Sequence, residues 1–306
     1  ELEPVHRRSE VDALGLPAGR RLVYTAAGFG SLLASIGRAL FRPLTPLVQN
    51  DSNDYTGANG TVRWVIDDRV IDGWRPARKE IGASLGSVLT GALFLANQRW
   101  HRQLGRAPGR CSASLVMETR PRDGSFRSFA NHLATLEARL RLDRDLDPAG
   151  AVRSIQAQLT GQRRRHRPIK RLLCERALVA GMPLDAMHRL VFESKRPAFN
   201  LNLSNLIPLD FPTLAGDGWS VDEVLITTPV TPRTGIVLTV VRYGGRICFN
   251  FNYAASAATA EQTATLARHF RDVLGELTGY QPVELETASL ASIQRPRPPA
   301  ARAEVA

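Results

Sequence analysis

The spacing of apolar residues divides the chain into stretches of helical period and stretches that alternate. Leu32, Leu33, Ile36, Leu40 and Phe41 recur at helical spacing, and Pro43 and Pro46 end that run. A longer helical pattern spans about 75–103. Its second half places Leu85, Val88, Leu89, Ala92, Leu93, Ala96 and Trp100 on one wide stripe, as a well-buried helix requires. Residues 126–194 read as a run of helices, the first carrying Phe129, Leu133, Leu136 and Leu140, the last Met187, Leu190 and Val191. A final helix is predicted from Thr259, with Gln262 three residues on to complete a capping box and Leu266, Phe270, Val273, Leu274 and Leu277 as its buried face.

Alternation marks the strands. These are Thr61–Ile66, Ser112–Thr119, Phe199–Leu206, Val221–Thr228, Ile236–Tyr243 and Arg246–Tyr253. Gly244–Gly245 joins the last two as a two-residue hairpin. Residues 1–28 read as loop with one short strand at Arg21–Thr25, and 49–60 as a loop rich in Asn, Asp and Gly. From 288 to 306 the chain is rich in Pro, Arg and Ala, the composition of a disordered tail. Helices between strands, followed by an antiparallel hairpin, predict an α/β lobe with a mixed sheet flanked by helices.

Composition narrows the function. Lys and Arg total 40 against 29 Asp and Glu, a net charge of +11 over 306 residues. That excess favours anionic partners: phosphates, acidic proteins or lipid headgroups. Cys111, Cys174 and Cys248 are widely separated and lack zinc spacing, so reduced thiols in a cytoplasmic protein are expected. No apolar run approaches the ~20 residues of a membrane span. The six histidines (His6, His101, His132, His166, His188, His269) include no adjacent pair. Elbow, phosphate-loop, dinucleotide and metalloprotease signatures are absent from the sequence. No residue is assigned as catalytic or metal-ligating.

Two groups remain as candidates. Arg163, Arg164, Arg165, Arg167, Lys170 and Arg171 put six cations into nine residues. They suit the phosphates of CoA, an acidic carrier protein or an anionic lipid surface; equally, they suit a solvated helix end. Scarce aromatics there argue against nucleic acid. Asn202, Ser204 and Asn205 stand on a predicted strand, with Asn202 and Ser204 on one face and Asn205 on the other. Polar residues in such a strand suit either a channel wall or bridges to loops.

The order of these segments resembles the C-terminal lobe of wax ester synthase/diacylglycerol acyltransferases, from about residue 60 to 280. Ala83-Ser84-Leu85-Gly86-Ser87-Val88-Leu89 is similar to that family's helix opening Ala-Thr-x-Asn-Asp-Val-Leu, with Gly86–Ser87 in place of the Asn-Asp pair. Leu203-Ser204-Asn205-Leu206-Ile207-Pro208 resembles its Thr-Asn-Val-Pro-Gly segment. The closing hairpin and helix resemble those of condensation domains and other CoA-dependent acyltransferases. The resemblance implies a chloramphenicol-acetyltransferase-like lobe at 61–287, preceded by a variable segment at 1–60 that follows an N-terminal lobe lying upstream of Glu1. In such enzymes two lobes enclose a tunnel, and a His-His-x-x-x-Asp-Gly motif of the first lobe supplies the general base. That motif does not occur in this chain.

The resemblance further implies Asn205 as a residue near the tunnel, with Arg233 a second candidate there. It implies an acyl-CoA or acyl-carrier thioester as substrate, no bound cofactor, and the other lobe as partner. An acceptor alcohol or amine would receive the acyl group, and the isolated chain would be inactive. A non-catalytic module that docks an acidic carrier remains the alternative, with peripheral contact at a membrane or lipid surface also open.

Overall fold

The structure is a computed structural model. It describes residues 16–41, 44–45, 59–118, 133–183, 185–186, 201–207, 214–221, 224–228, 230 and 235–280. Helix α1 (Ala18–Phe41) comes first, then β1 (Asn59–Asp67), the short helices α2 (Arg69–Gly73) and α3 (Arg75–Ile81), and the long α4 (Leu85–Gln103). Next come β2 (Arg110–Glu118), β3 (Leu133–Arg141), α5 (Pro148–Arg164), α6 (Arg167–Gly181) and β4 (Leu201–Asn205). A two-residue ribbon, β5 (Ala215–Gly216) with β6 (Trp219–Ser220), precedes the hairpin of β7 (Ile236–Tyr243) and β8 (Arg246–Ala254). Helix α7 (Ala260–Thr278) closes the described chain.

Six strands form one mixed sheet in the order β1-β8-β7-β4-β2-β3. Strand β4 runs parallel to both β2 and β7, and the other pairings are antiparallel. The hairpin turn works because Gly244 (φ 57°) and Gly245 (φ 73°) both adopt the left-handed conformation that a tight two-residue connection needs. Alternation then sends Trp64, Leu115, Leu136, Leu203, Leu238, Phe249 and Phe251 to one face, where α4, α5 and α7 cover them in a single core. Trp64 stacks on Phe249 with ring centroids 4.6 Å apart, and Phe270 of α7 meets Phe251 edge-on at 5.5 Å.

Local chemistry sets where the covering helices begin. Ser84 caps α4 by accepting from the Ser87 N–H. Asp147 caps α5 by accepting from the N–H groups of Ala149 and Gly150, with Pro148 at the first helical position. The predicted capping box of α7 is present in both directions, Gln262 N to Thr259 Oγ1 and Thr259 N to Gln262 Oε1.

Four expectations change. The stretch 1–28 contains no strand at Arg21–Thr25, which lies inside α1. An isolated Gly19 costs a helix only about 1 kcal/mol, and α1 gains a packing surface on α6. There Gly28 sits so close that an added Cβ would lie 2.3 Å from the Lys170 carbonyl oxygen. The helix predicted over 75–103 is broken, because Gly82 (φ 73°) ends α3 and Ser84 starts α4. The Leu133–Leu140 stripe belongs to a strand, β3, in nine-residue register with β2. Its leucines fit a helix, but Ala134, Leu136 and Ala138 are the buried set, and pairing overrides helix propensity. The described residues of 221–228 form no strand: β7 already pairs on both sides, and the sheet offers no place beside it. Phe129, Met187, Leu190, Val191, most of 49–60 and the 288–306 tail lie outside the described residues.

Edge strand β3 is protected by α5. Gln158 accepts from the Arg139 N–H at 3.0 Å and donates to its carbonyl at 2.9 Å. Gln162, one turn later, does the same for Glu137, accepting from its N–H at 3.0 Å and donating to its carbonyl. Two side-chain amides thus satisfy the edge as a seventh strand would. No single described helix is long and apolar enough to cross a membrane.

Candidate functional site

The face of the sheet opposite α4, α5 and α7 is polar at its centre. Register aligns Thr61, Asn252, Val237, Asn202, Ser114 and Glu137 in one row across all six strands. Thr61 donates to Asn252 Oδ1 at 2.9 Å, and Asn252 Nδ2 donates to Thr239 Oγ1 at 3.2 Å. The Thr239 hydroxyl meets that of Thr228 at 2.8 Å, so the 224–228 segment lies over this face. At the β3 end Ser112 donates to Glu137 at 2.9 Å, and Arg139 pairs with the same carboxylate.

Two members of this face stand apart. Asn250 is completely buried, and neither its amide nitrogen nor its oxygen has a hydrogen-bond partner. Asn202 Oδ1 is likewise buried and unsatisfied. Leaving such groups unpaired costs roughly 1–3 kcal/mol each, so their presence calls for a reason other than stability. Asn250 pairs in register with Thr239, and Thr239 with Ser204, so Asn250 lies two strands from Ser204 in the same row, and Asn202 two residues from it on β4.

Asn205 faces the other way, as alternation required. Its Oδ1 accepts from the Ile207 N–H at 3.2 Å, and its Nδ2 lies 4.0 Å from where a Cβ on Gly86 would stand. This places Asn205 against the first turn of α4, the helix on which Gly86–Ser87 occur. Gln156 of α5 closes the same corner, accepting from Ser84 N at 3.0 Å and Ser87 Oγ at 2.6 Å. The sequence-predicted residues therefore divide between two places: Asn202 and Ser204 on the polar face, Asn205 at the start of α4. Arg233 lies outside the described residues.

The basic run occupies the corner where α5 gives way to α6. Arg163, Arg164, Arg165 and Arg167 are exposed there, and His166 turns the chain with φ 52°. Lys170 points back over the Tyr24 ring of α1 at 5.1 Å, and Arg171 pairs with Glu175 at 2.6 Å. The run is far from a closed site and forms no joint cluster with Asn202, Ser204 or Asn205 in any described contact.

No described histidine is placed as a general base. His101 is buried edge-on to Trp100. His269 bonds Gln103 at 2.8 Å across the α4–α7 pair, and burial lowers its pKa despite nearby Asp272. Cys111, Cys174 and Cys248 are buried thiols outside any disulfide, and desolvation raises the pKa of Cys111 far above the ordinary range. Among the described residues no three His, Cys, Asp or Glu side chains converge to hold a metal ion. Sequence reasoning missed Thr61, Thr239, Asn250 and Asn252, whose signal was polar residues at alternate positions of otherwise apolar strands.

Comparison with known proteins bears on this arrangement. Residues 129–278 match the family model of the WS/DGAT C-terminal domain. No curated protein sequence matches the chain. Among solved structures it is similar to the wax ester synthase/diacylglycerol acyltransferase from Marinobacter aquaeolei VT8. That similarity has TM-score 0.50 at 13% identity, over 92% of this chain and 60% of that one. It is also similar to the epimerization domain from the third module of tyrocidine synthetase B, with TM-score 0.56 at 10% identity, over 89% and 58%. A third is a nonribosomal peptide synthetase cyclization-docking bidomain from Sorangium cellulosum, with TM-score 0.55 at 13% identity, over 82% and 48%.

The chain thus spans between about half and three fifths of the length of these structures. Its fold is the chloramphenicol-acetyltransferase-like lobe expected of the CoA-dependent acyltransferase superfamily. The matched stretch supplies four of the six strands; β1, β2 and α4, which precede it, complete its sheet and its core.

Proposed function

We propose that this chain is the C-terminal part of an acyltransferase that moves an acyl group from a CoA or carrier-protein thioester to an alcohol or amine. The observation that carries the reading is the buried polar face, with unsatisfied amides at Asn250 and Asn202 beside Ser204. A protein that only had to be stable would fill those positions with apolar side chains. A wall that lines a substrate path needs hydrogen-bonding groups free to meet the amides and carbonyl of a passing thioester arm. The general base comes from a lobe that carries His-His-x-x-x-Asp-Gly, the motif this sequence lacks. The chain contributes donor contacts and half of the enclosing surface, and takes no resident cofactor.

The test is acyl transfer from acyl-CoA to alcohol and amine acceptors by the chain alone and by the chain joined to such a lobe. Turnover is expected only for the joined protein. Robust turnover by the chain alone overturns the proposal, as does a joined protein that remains inactive while its thioester is bound.

A second reading is a docking module for an acidic carrier protein. It rests on the exposed α5–α6 corner, where Arg163, Arg164, Arg165 and Arg167 form no ion pair among the described residues. Replacing those four by Gln and finding carrier affinity unchanged removes this reading.

A further inference from the structure

Helices α2 and α3 together meet α4 at a bend of 85°. The elbow is Gly82–Ala83, held by Gly82 N donating to the Lys79 carbonyl and Ala83 N to that of Arg78. Gly82 has φ 73°, a conformation that glycine adopts without strain, so the sharp turn depends on that residue. Inside the elbow lies a cleft of about 420 Å³ lined by Arg75, Arg78, Lys79, Gly82 and Ala83. Three of its five lining residues are cations and none is an acid.

These cations are poorly compensated. Arg75 reaches only the exposed Asp72, at 3.5 Å. The Nε of Arg78 is buried and has no hydrogen-bond partner. Burial and then the charge of Arg75 both disfavour the charged form of Arg78, the situation an incoming anion relieves. The cleft also lies at the start of α4, a 19-residue helix whose positive dipole end adds to the field. The exposed corner at 163–171 has more charge, but Arg163, Arg164, Arg165 and Arg167 stand out in solvent there.

We infer that the Arg75–Arg78–Lys79 elbow binds a phosphate group, and that its ligand is the phosphate end of a CoA-type thioester donor. The donor assignment rests on the acyl-transfer reading above; the phosphate site does not. Gly86, two residues past the Ser84 cap, is where Asn205 Nδ2 approaches α4. A donor anchored at the elbow would therefore run past Asn205. The planar guanidinium of Arg78 offers a fork matched to phosphate oxygens, with Lys79 as a second point charge.

The test uses the full chain and calorimetric titration with CoA, pantetheine, inorganic pyrophosphate and phosphatidylglycerol vesicles. CoA and pyrophosphate are expected to bind and to compete, weakening as salt rises, while pantetheine, which has no phosphate, does not displace pyrophosphate. Arg78→Gln combined with Lys79→Gln is expected to weaken both by about tenfold, and Arg78→Lys by less, since charge is kept and only the fork is lost. Equal melting temperatures of variants and parent separate lost binding from lost folding. Pyrophosphate that binds parent and double variant equally overturns the site. Loss of CoA binding through Arg163→Gln with Arg164→Gln instead moves the donor to the corner and overturns the assignment. Vesicles captured through Arg78 and Lys79 in place of CoA make the ligand a lipid headgroup and also overturn it. Pyrophosphate bound through those residues while CoA is ignored leaves the phosphate site standing and sinks the donor.

Discussion

The two faces of the six-stranded sheet solve opposite problems. The face under α4, α5 and α7 is packed by Trp64, Phe249, Phe251 and Phe270, and every one of these rings is in contact with another. The opposite face buries Thr61, Thr239, Asn250, Asn252 and Ser114 just as deeply. Burial of an apolar ring is favourable without a partner, whereas burial of an amide is favourable only when its hydrogen bonds are made. The first face therefore reads as stability. The second, where Asn252 is satisfied and Asn250 is not, reads as a surface kept available for something else.

That contrast can be broken at four points. The largest effect is expected on the apolar face: Phe249→Ala removes a ring stacked on Trp64 and should cost about 3–5 kcal/mol in denaturant unfolding. Next comes a paired substitution on the polar face. Asn252→Val strands the Thr61 hydroxyl and should cost roughly 1–3 kcal/mol, whereas Asn250→Val removes two unsatisfied groups and should be neutral or stabilising. Equal losses for the two would erase the distinction. If Asn250 serves a substrate path, the stabilised Asn250→Val variant should lose acyl transfer when joined to the other lobe.

The third point is the rim both faces share. Gln158→Ala with Gln162→Ala uncovers β3 and should cost about 1–2 kcal/mol, with a rise in self-association seen by light scattering. The smallest effect is expected with pH, on the helix side. Burial holds the pKa of His269 below its ordinary 6.5, and Arg99 holds that of Glu276 below its ordinary 4.5. Both lowered values make the unfolded chain bind protons first as pH falls. Stability is therefore full above pH 6.5 and declines below it through His269, then declines again below 4.5 through Glu276. The groups facing His269 are Gln103, Asp272, Arg99 and Arg268. His269→Gln should flatten the upper part of the curve, measured as melting temperature between pH 7 and 5.

Much of the fold was legible because period and caps are local. The stripe of α4, the capping box of α7 and the Gly244–Gly245 turn follow from short-range sterics and hydrogen bonding. Strand β3 was not legible, since its leucines fit a helical period and only pairing with β2 reveals that Ala134 and Ala138 are core positions. The N-terminal part of α1 was missed for a related reason: the helix gains its packing surface from contact with α6, around Gly28. Of the candidate site, Asn202, Ser204 and Asn205 were visible as polar residues in an alternating strand. Thr61, Thr239, Asn250 and Asn252 were hidden, because each looks like an ordinary strand polar residue until register lines them up.

By itself, the sequence determined the elements with local signals, the α/β class, the net positive charge and the absence of the His-His-x-x-x-Asp-Gly motif. Only the tertiary structure decided strand order and what each face of β4 meets: the polar row for Asn202 and Ser204, the start of α4 for Asn205. It also decided which buried amides are satisfied and that three cations at 75–79 surround a cleft while six at 163–171 stand at an open corner. Strand order and cleft geometry arise from contacts between residues distant in the chain, and no short-range rule encodes which of those contacts will form.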